Sequence, residues 1–287
     1  MSRPPFLELP PGAESFRLGT RRGEFAVSAA GRPRLGTALL VPGFTGSKED
    51  FLGLLAPLAD AGLRVVALDQ RGQYETPGPD EEAAYAQGEL ARDVHAVAEA
   101  VGSPVHLLGH SLGGLVCRAA VLADAAPFRS LTLVSSGPGA VCAAQQDRIG
   151  LLLEALPALG MAEVWAAMGR LDPTEAPSTE TPPRTAEFLR RRWLATVPQQ
   201  LVATARQLRD EPDRTAELAA VGLPLHVLSG EEDEVWPVPW MDAMAERLAA
   251  RRTVVAGTAH SPNAERPRET ARALAAFWSD VAVSPRR

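Results

Sequence analysis

The chain has 287 residues, 46% hydrophobic and 22% charged, which fits one large globular domain or a domain with an insertion. A net charge of −6 argues against a nucleic-acid partner; the longest basic run, Arg190-Arg191-Arg192, reads as a solvated helix face. No stretch approaches a membrane span, residues 1–18 lack the apolar core of a signal peptide, and Cys117 and Cys142 form neither a metal-ligand nor a redox spacing, so a cytoplasmic chain without disulfides is expected.

In chain order, Phe25–Ala29 predicts an early strand and Thr37–Val41 a second, ending at Pro42-Gly43. Lys48–Ala61 reads as a helix with Ser47 as N-cap, followed by a strand over Arg64–Leu68 that ends at Asp69. Glu81–Val101 is an amphipathic helix. Val105–Gly109 is a strand, Leu112–Ala125 a helix, and Leu131–Val134 a further strand. The alternation then stops. Residues 139–220 carry helical patterns and one polar loop, Asp172–Pro183, expected to be mobile. Strand and helix alternate again over Leu225–Ser229, Pro239–Ala250, Arg252–Ala256 and Pro267–Val281. This order predicts an α/β fold with a mostly parallel, doubly wound sheet flanked by helices. Sites in such sheets form at the carboxyl ends of strands. Residues 139–220 are then best explained as a helical cap inserted over those ends, with 1–138 and 221–287 as the core.

One stretch carries most of the chemical information. Gly109-His110-Ser111-Leu112-Gly113 reads G-x-S-x-G between a strand and a helix, the setting of a nucleophile elbow. A sharp turn crowds the backbone, and a Cβ at either glycine would clash. The turn exposes the Ser111 hydroxyl and aims the Leu112 amide at the oxygen that becomes negative in acyl transfer.

A serine needs a base, and the base needs an orienting group. Of five histidines, His106 and His226 lie inside strands and read as packing residues. His95 is mid-helix and expected to be exposed, and His110 adjoins Ser111 in a direction unsuited to a base. His260 follows the last strand in Gly257-Thr258-Ala259-His260-Ser261-Pro262, where it can swing over a neighbouring strand end. The acid is expected in Glu231-Glu232-Asp233-Glu234, after the strand ending at Ser229; four adjacent carboxylates are not ranked by chemistry alone. Pro42-Gly43-Phe44-Thr45-Gly46-Ser47 fits a second oxyanion loop, with the Phe44 amide as donor.

Together these segments resemble the α/β-hydrolase superfamily, of the capped, serine-nucleophile type. Pro42-Gly43-Phe44 is similar to its oxyanion loop, Asp69-Gln70-Arg71-Gly72-Gln73-Tyr74-Glu75-Thr76 to its D-x-R-G-x-G-x-S turn, and Gly109–Gly114 to its elbow. Gly230-x-x-Asp233-x-x-x-Pro237 is similar to its acid loop, and His260-Ser261-Pro262 with Glu265-Arg266-Pro267 to its histidine loop. The likeness spans most of residues 20–285 and selects Asp233 among the four acids. Pro42 stands where many members have His, and Tyr74 and Thr76 replace Gly and Ser. Members that dehalogenate or open epoxides carry Asp where this chain has Ser111. The resemblance therefore implies a serine hydrolase cleaving an ester, thioester or related carbonyl of a small apolar molecule through an acyl-enzyme. That route uses Ser111, Asp233 and His260 and needs no metal or organic cofactor. A non-hydrolytic small-molecule binder or cofactor-free enzyme of the same fold is the alternative. Phe44 and Trp236 are the candidate pocket walls. The stripes Met161, Trp165, Met168 and Trp193, Val197 read as helix packing before substrate contact.

Overall fold

The computed structural model describes residues 1–171 and 181–283. Its centre is an eight-stranded sheet: β1 (Ala13–Thr20), β2 (Gly23–Ala30), β3 (Gly36–Val41), β4 (Leu63–Leu68), β5 (Val105–His110), β6 (Phe128–Val134), β7 (Leu225–Gly230) and β8 (Arg251–Val255), in the order β1-β2-β4-β3-β5-β6-β7-β8. β2 runs antiparallel to both β1 and β4; the other neighbours are parallel. The helices are α1 (Leu52–Asp60), α2 (Gln87–Val101), α3 (Leu112–Ala123), α4 (Ala143–Ala158), α5 (Met161–Leu171), α6 (Pro183–Ala195), α7 (Pro198–Asp210), α8 (Thr215–Ala219), α9 (Val238–Arg247), α10 (Pro262–Glu265) and α11 (Pro267–Val283). The predicted α/β fold, a mostly parallel sheet with helices on both faces, is the observed one. Among the described residues between β6 and β7 there are helices and no strands. Of the loop expected at Asp172–Pro183, residues 172–180 lie outside the described residues.

The two-residue period of the strands divides the core. Leu39, Val41, Val66, Leu68 and Leu107 face α2, α3 and α9. Their neighbours Ala38, Leu40, Val65, Ala67 and Leu108 face α1 and α11. The central strands are buried on both faces, as parallel strands are. A smaller cluster, Leu156, Val164, Trp193, Leu201 and Val202, joins the helices between β6 and β7, and Phe44 and Leu153 pack against both it and the first face.

Three elements depart from expectation. β1 has no counterpart in the sequence reading, because it is an edge strand whose residues are exposed or half-buried along its whole length. The helix expected over Glu81–Val101 is interrupted: Glu82–Tyr85 forms a tight turn and Ala86 is extended before α2. Tyr85 accounts for the break, since its hydroxyl donates to the Pro79 carbonyl at 2.6 Å while its ring packs on Gly72 and Gly78. Likewise Lys48–Phe51 is a separate turn ahead of α1, capped as expected at Ser47, whose N–H donates to the Asp50 carboxylate at 3.2 Å. No described helix is long and apolar enough to cross a membrane.

Candidate active site

β5 delivers the chain to Ser111, which adopts φ 54°, ψ −122° before α3 begins. A non-glycine residue held there stores of order 1–3 kcal/mol, kept in place by its surroundings. Here the Ser111 N–H donates to the Val134 carbonyl at 2.9 Å. A Cβ on Gly109 would lie 2.3 Å from the Gly113 carbonyl oxygen, and one on Gly113 would lie 2.4 Å from that of Val41. The two glycines let β3, β5 and α3 approach at the elbow.

β7 and β8 end beside each other and bring in two more groups. The loop after β8 presents His260, whose Nε2 is 3.0 Å from Ser111 Oγ. The loop after β7 presents Asp233, whose Oδ1 and Oδ2 lie 3.0 and 3.1 Å from His260 Nδ1. A Cβ on Gly230 would fall 1.9 Å from the Ala259 carbonyl oxygen, so glycine there lets the two loops touch. Of the four adjacent acids, Asp233 is buried and Glu231, Glu232 and Glu234 are exposed. Burial alone would raise the Asp233 carboxyl. The His260 imidazole, the nearby Ser135 hydroxyl and the Val235 N–H outweigh it and hold the group below the ordinary carboxylate range. The structure thus brings Ser111, His260 and Asp233 into one hydrogen-bonded chain.

The third wall is the loop after β3. A Cβ on Gly43 would lie 3.2 Å from Ser111 Cβ, so Pro42–Phe44 runs against the serine. Gln73 donates its amide to the carbonyls of Gly43 (2.8 Å) and Phe44 (3.0 Å), and Gln70 donates to that of Pro42 (2.9 Å). The Phe44 and Leu112 N–H groups have no acceptor among the described residues. No sequence motif assigns Gln70 or Gln73 a role. Two glutamines beside Gly72 give no sign of burial until the turn is folded. In the same turn Thr76 accepts the Ala26 N–H at 2.9 Å. Tyr74 takes φ 43° and sets its ring edge-on to Phe188 of α6 at 5.6 Å. Beneath it Lys48, fully buried, meets Glu75 at 2.7 Å, Glu49 at 2.8 Å and Asp69 at 3.0 Å.

The remaining candidates separate clearly. His106 and His226 are buried, with hydrogen bonds to Ser130 and Thr253, and desolvation lowers them to about 4 and about 3. His95 is half-buried and not exposed as expected: its Nε2 lies 3.0 Å from the Ala120 carbonyl, tying α2 to α3. His110 points away from Ser111 Oγ toward the backbone of the histidine loop. Trp236 does not line an open pocket. It is 0% exposed, its indole N–H donates to the Gly139 and Ala140 carbonyls at 2.9 and 3.1 Å, and its ring lies behind His260. Phe44 is half-buried between the two apolar clusters. The Arg190–Arg192 run is not one solvated face, because Arg192 is fully buried and pairs with Asp50 at 2.7 Å. Trp165 and Trp193 lie 6.2 Å apart and the Trp193 N–H donates to the Met161 carbonyl, so that stripe packs helix on helix.

The sequence model of the "Alpha/beta hydrolase family" matches residues 38–273. A 99-residue segment is 41% identical to RutD of Variovorax paradoxus (strain S110), provisionally named a carbamate hydrolase; the match covers 34% of this chain and 37% of that protein. A hydrolase from Pseudomonas aeruginosa PA01 superposes with a TM-score of 0.74 at 25% identity, over 92% of this chain and 98% of its own. A thermophilic esterase from Thermogutta terrifontis superposes at 0.75 and 22% identity, over 94% and 100%; that likeness speaks for the fold.

Proposed function

The chain belongs to the alpha/beta hydrolase family, and from that premise we propose that it is a serine hydrolase acting on an ester, thioester or related carbonyl of a small apolar molecule. The observation that carries this reading is the unbroken relay of 3.0 Å contacts from Asp233 through His260 to Ser111. His260 Nε2 takes the hydroxyl proton as Ser111 Oγ attacks the carbonyl carbon. The resulting imidazolium keeps its Nδ1–H on Asp233, whose carboxylate is held ionised. The Phe44 and Leu112 amides, without other acceptors, serve the oxyanion. Collapse expels the leaving group with the proton from His260 and leaves an acyl-serine. Water, deprotonated by the same imidazole, releases the acid and restores Ser111.

We read residues 139–220 as a cap over this site and 1–138 with 221–287 as the core. In support, Phe44, three residues past the end of β3, and Leu153 of α4 pack against both apolar clusters. A guest bound there would meet apolar carbon, which favours an uncharged acyl or aryl group. The name of the Variovorax relative extends the range to carbamates, whose carbonyl has the same demand for a nucleophile and an oxyanion site. Turnover of short activated esters by the wild type, and its loss by at least about 10⁴-fold in a folded Ser111→Ala protein, is the expected outcome. Tight ligand binding without turnover by the intact protein would favour the non-hydrolytic alternative. An ester series of graded chain length then sizes the pocket.

A further inference from the structure

We infer that His110 is a positioning residue for the base: its imidazole grips the backbone of His260 and holds the catalytic ring between Ser111 and Asp233. This rests on the reading of His260 as the base. His110 ends β5, next to Ser111, yet its Nε2 lies 2.9 Å from the His260 carbonyl oxygen, 150 residues away in sequence. A carbonyl only accepts, so His110 is the Nε2–H tautomer and donates. Its Nδ1 is buried without a partner and faces the Gly43 backbone, where a Cβ would come within 3.2 Å. One ring therefore touches the serine elbow, the oxyanion loop and the histidine loop.

The rest of the His260 backbone is held from the other side. The Ala259 N–H donates to Glu265 Oε2 at 2.7 Å and the Ser261 N–H to Glu265 Oε1 at 2.9 Å. Glu265 thus ties the two flanking amides from the exposed side, and His110 ties the intervening carbonyl from the buried side. Desolvation, aided by the nearby His260, pushes His110 down to about 3, so it stays neutral while its neighbour takes up a proton. A fixed neutral donor can hold the base without competing for that proton. The hydroxyl-to-imidazole geometry is sensitive: a displacement of about 1 Å costs up to roughly 100-fold in rate.

The test compares His110→Phe, which keeps an aromatic ring but has no donor, with His110→Gln, whose amide N–H can reach the same carbonyl. Two readouts are taken on the full-length protein: the rate at which a fluorophosphonate labels Ser111, and the proton resonance of His260 Nδ1–H shared with Asp233. In His110→Phe the labelling rate falls roughly 10- to 100-fold and the resonance moves or broadens. In His110→Gln both recover most of the way. Thermal melts establish that each variant is folded; His110→Met, more adaptable and also without a donor, replaces Phe if that variant does not fold. A folded donor-free variant with wild-type labelling and an unchanged resonance overturns the proposal. Nitrogen shifts that place the His110 proton on Nδ1 overturn it equally. If wild-type Ser111 never labels, the hydrolase reading fails, while the tautomer and the resonance still decide whether His110 grips His260.

Discussion

The loops that carry Ser111, Asp233 and His260 and the helices between β6 and β7 are fastened by different means. In the loops, backbone meets backbone: Gly109, Gly113 and Gly230 each leave no room for a Cβ, and short hydrogen bonds fix each turn. The helical segment has a small apolar cluster of its own and is pinned to the core by buried charge. Arg192 of α6 pairs with Asp50. At the root of the segment Arg118 of α3 donates to the Gly137 and Pro138 carbonyls, where the chain leaves β6, and to Glu211 at 2.8 Å, where it returns after α7. Each reacting residue sits within five residues of the end of its strand; the helices are seated by buried side-chain pairs. Chemistry and substrate choice should therefore respond to different substitutions.

The sharpest separation is expected between acids of one loop. Asp233→Asn should lower kcat on activated esters by about 10³- to 10⁴-fold, because the imidazole loses its orienting carboxylate. Glu234→Gln, one residue on and exposed, should leave kcat unchanged in the same assay; equal losses would mean that the buried carboxylate has no special role. In the helical segment the large effect should be on stability. Arg118→Leu leaves the Glu211 carboxylate buried without its charge partner, and should cost about 3–5 kcal/mol in a denaturant titration. A loss below about 1 kcal/mol would mean that the root is held by packing alone.

Acid should lower the stability of the fold through its buried histidines. Unfolded histidines take up a proton near pH 6.5. His106 resists protonation until about pH 4, and His110 and His226 until about pH 3. Between pH 6.5 and 4 the unfolded state therefore binds more protons, and stability falls as pH falls, by about 1 kcal/mol per pH unit for each ring. Denaturant midpoints measured across that interval check the slope, and replacing His226 with Gln should flatten it by one ring's share.

The smallest expected effect is at the junction of the two regions. Tyr74→Gly relieves a left-handed backbone worth about 1–2 kcal/mol but removes the contact with Phe188, worth about 0.5–1.5 kcal/mol. Net stability should change by no more than about 1.5 kcal/mol, while KM for longer esters shifts if α6 moves.

What could be read from the sequence follows the same division. The elbow, the histidine loop and the strands of the sheet centre are short signals whose meaning lies within a few residues. Choosing Asp233 from four carboxylates required family likeness, because burial distinguishes it only once β7 and β8 lie together. Edge strand β1 escaped notice because neither of its faces is fully buried. The bracing by Gln70 and Gln73, the buried state of Arg192 and the grip of His110 on His260 all join residues far apart in the chain. Trp236 looked like a pocket wall from its place beside the acid loop. Gly137 lets the backbone pass so close that the indole is sealed behind His260 instead, since a Cβ there would lie 2.1 Å from its ring.

Ser111 is proposed as a nucleophile made reactive by His260. Incubation with a fluorophosphonate, digestion and mass spectrometry of the peptide containing Ser111 test it directly. One adduct is expected, on Ser111, suppressed when a short activated ester competes for the site. A folded protein whose Ser111 peptide stays unmodified, or whose adduct lies on another residue, would contradict it.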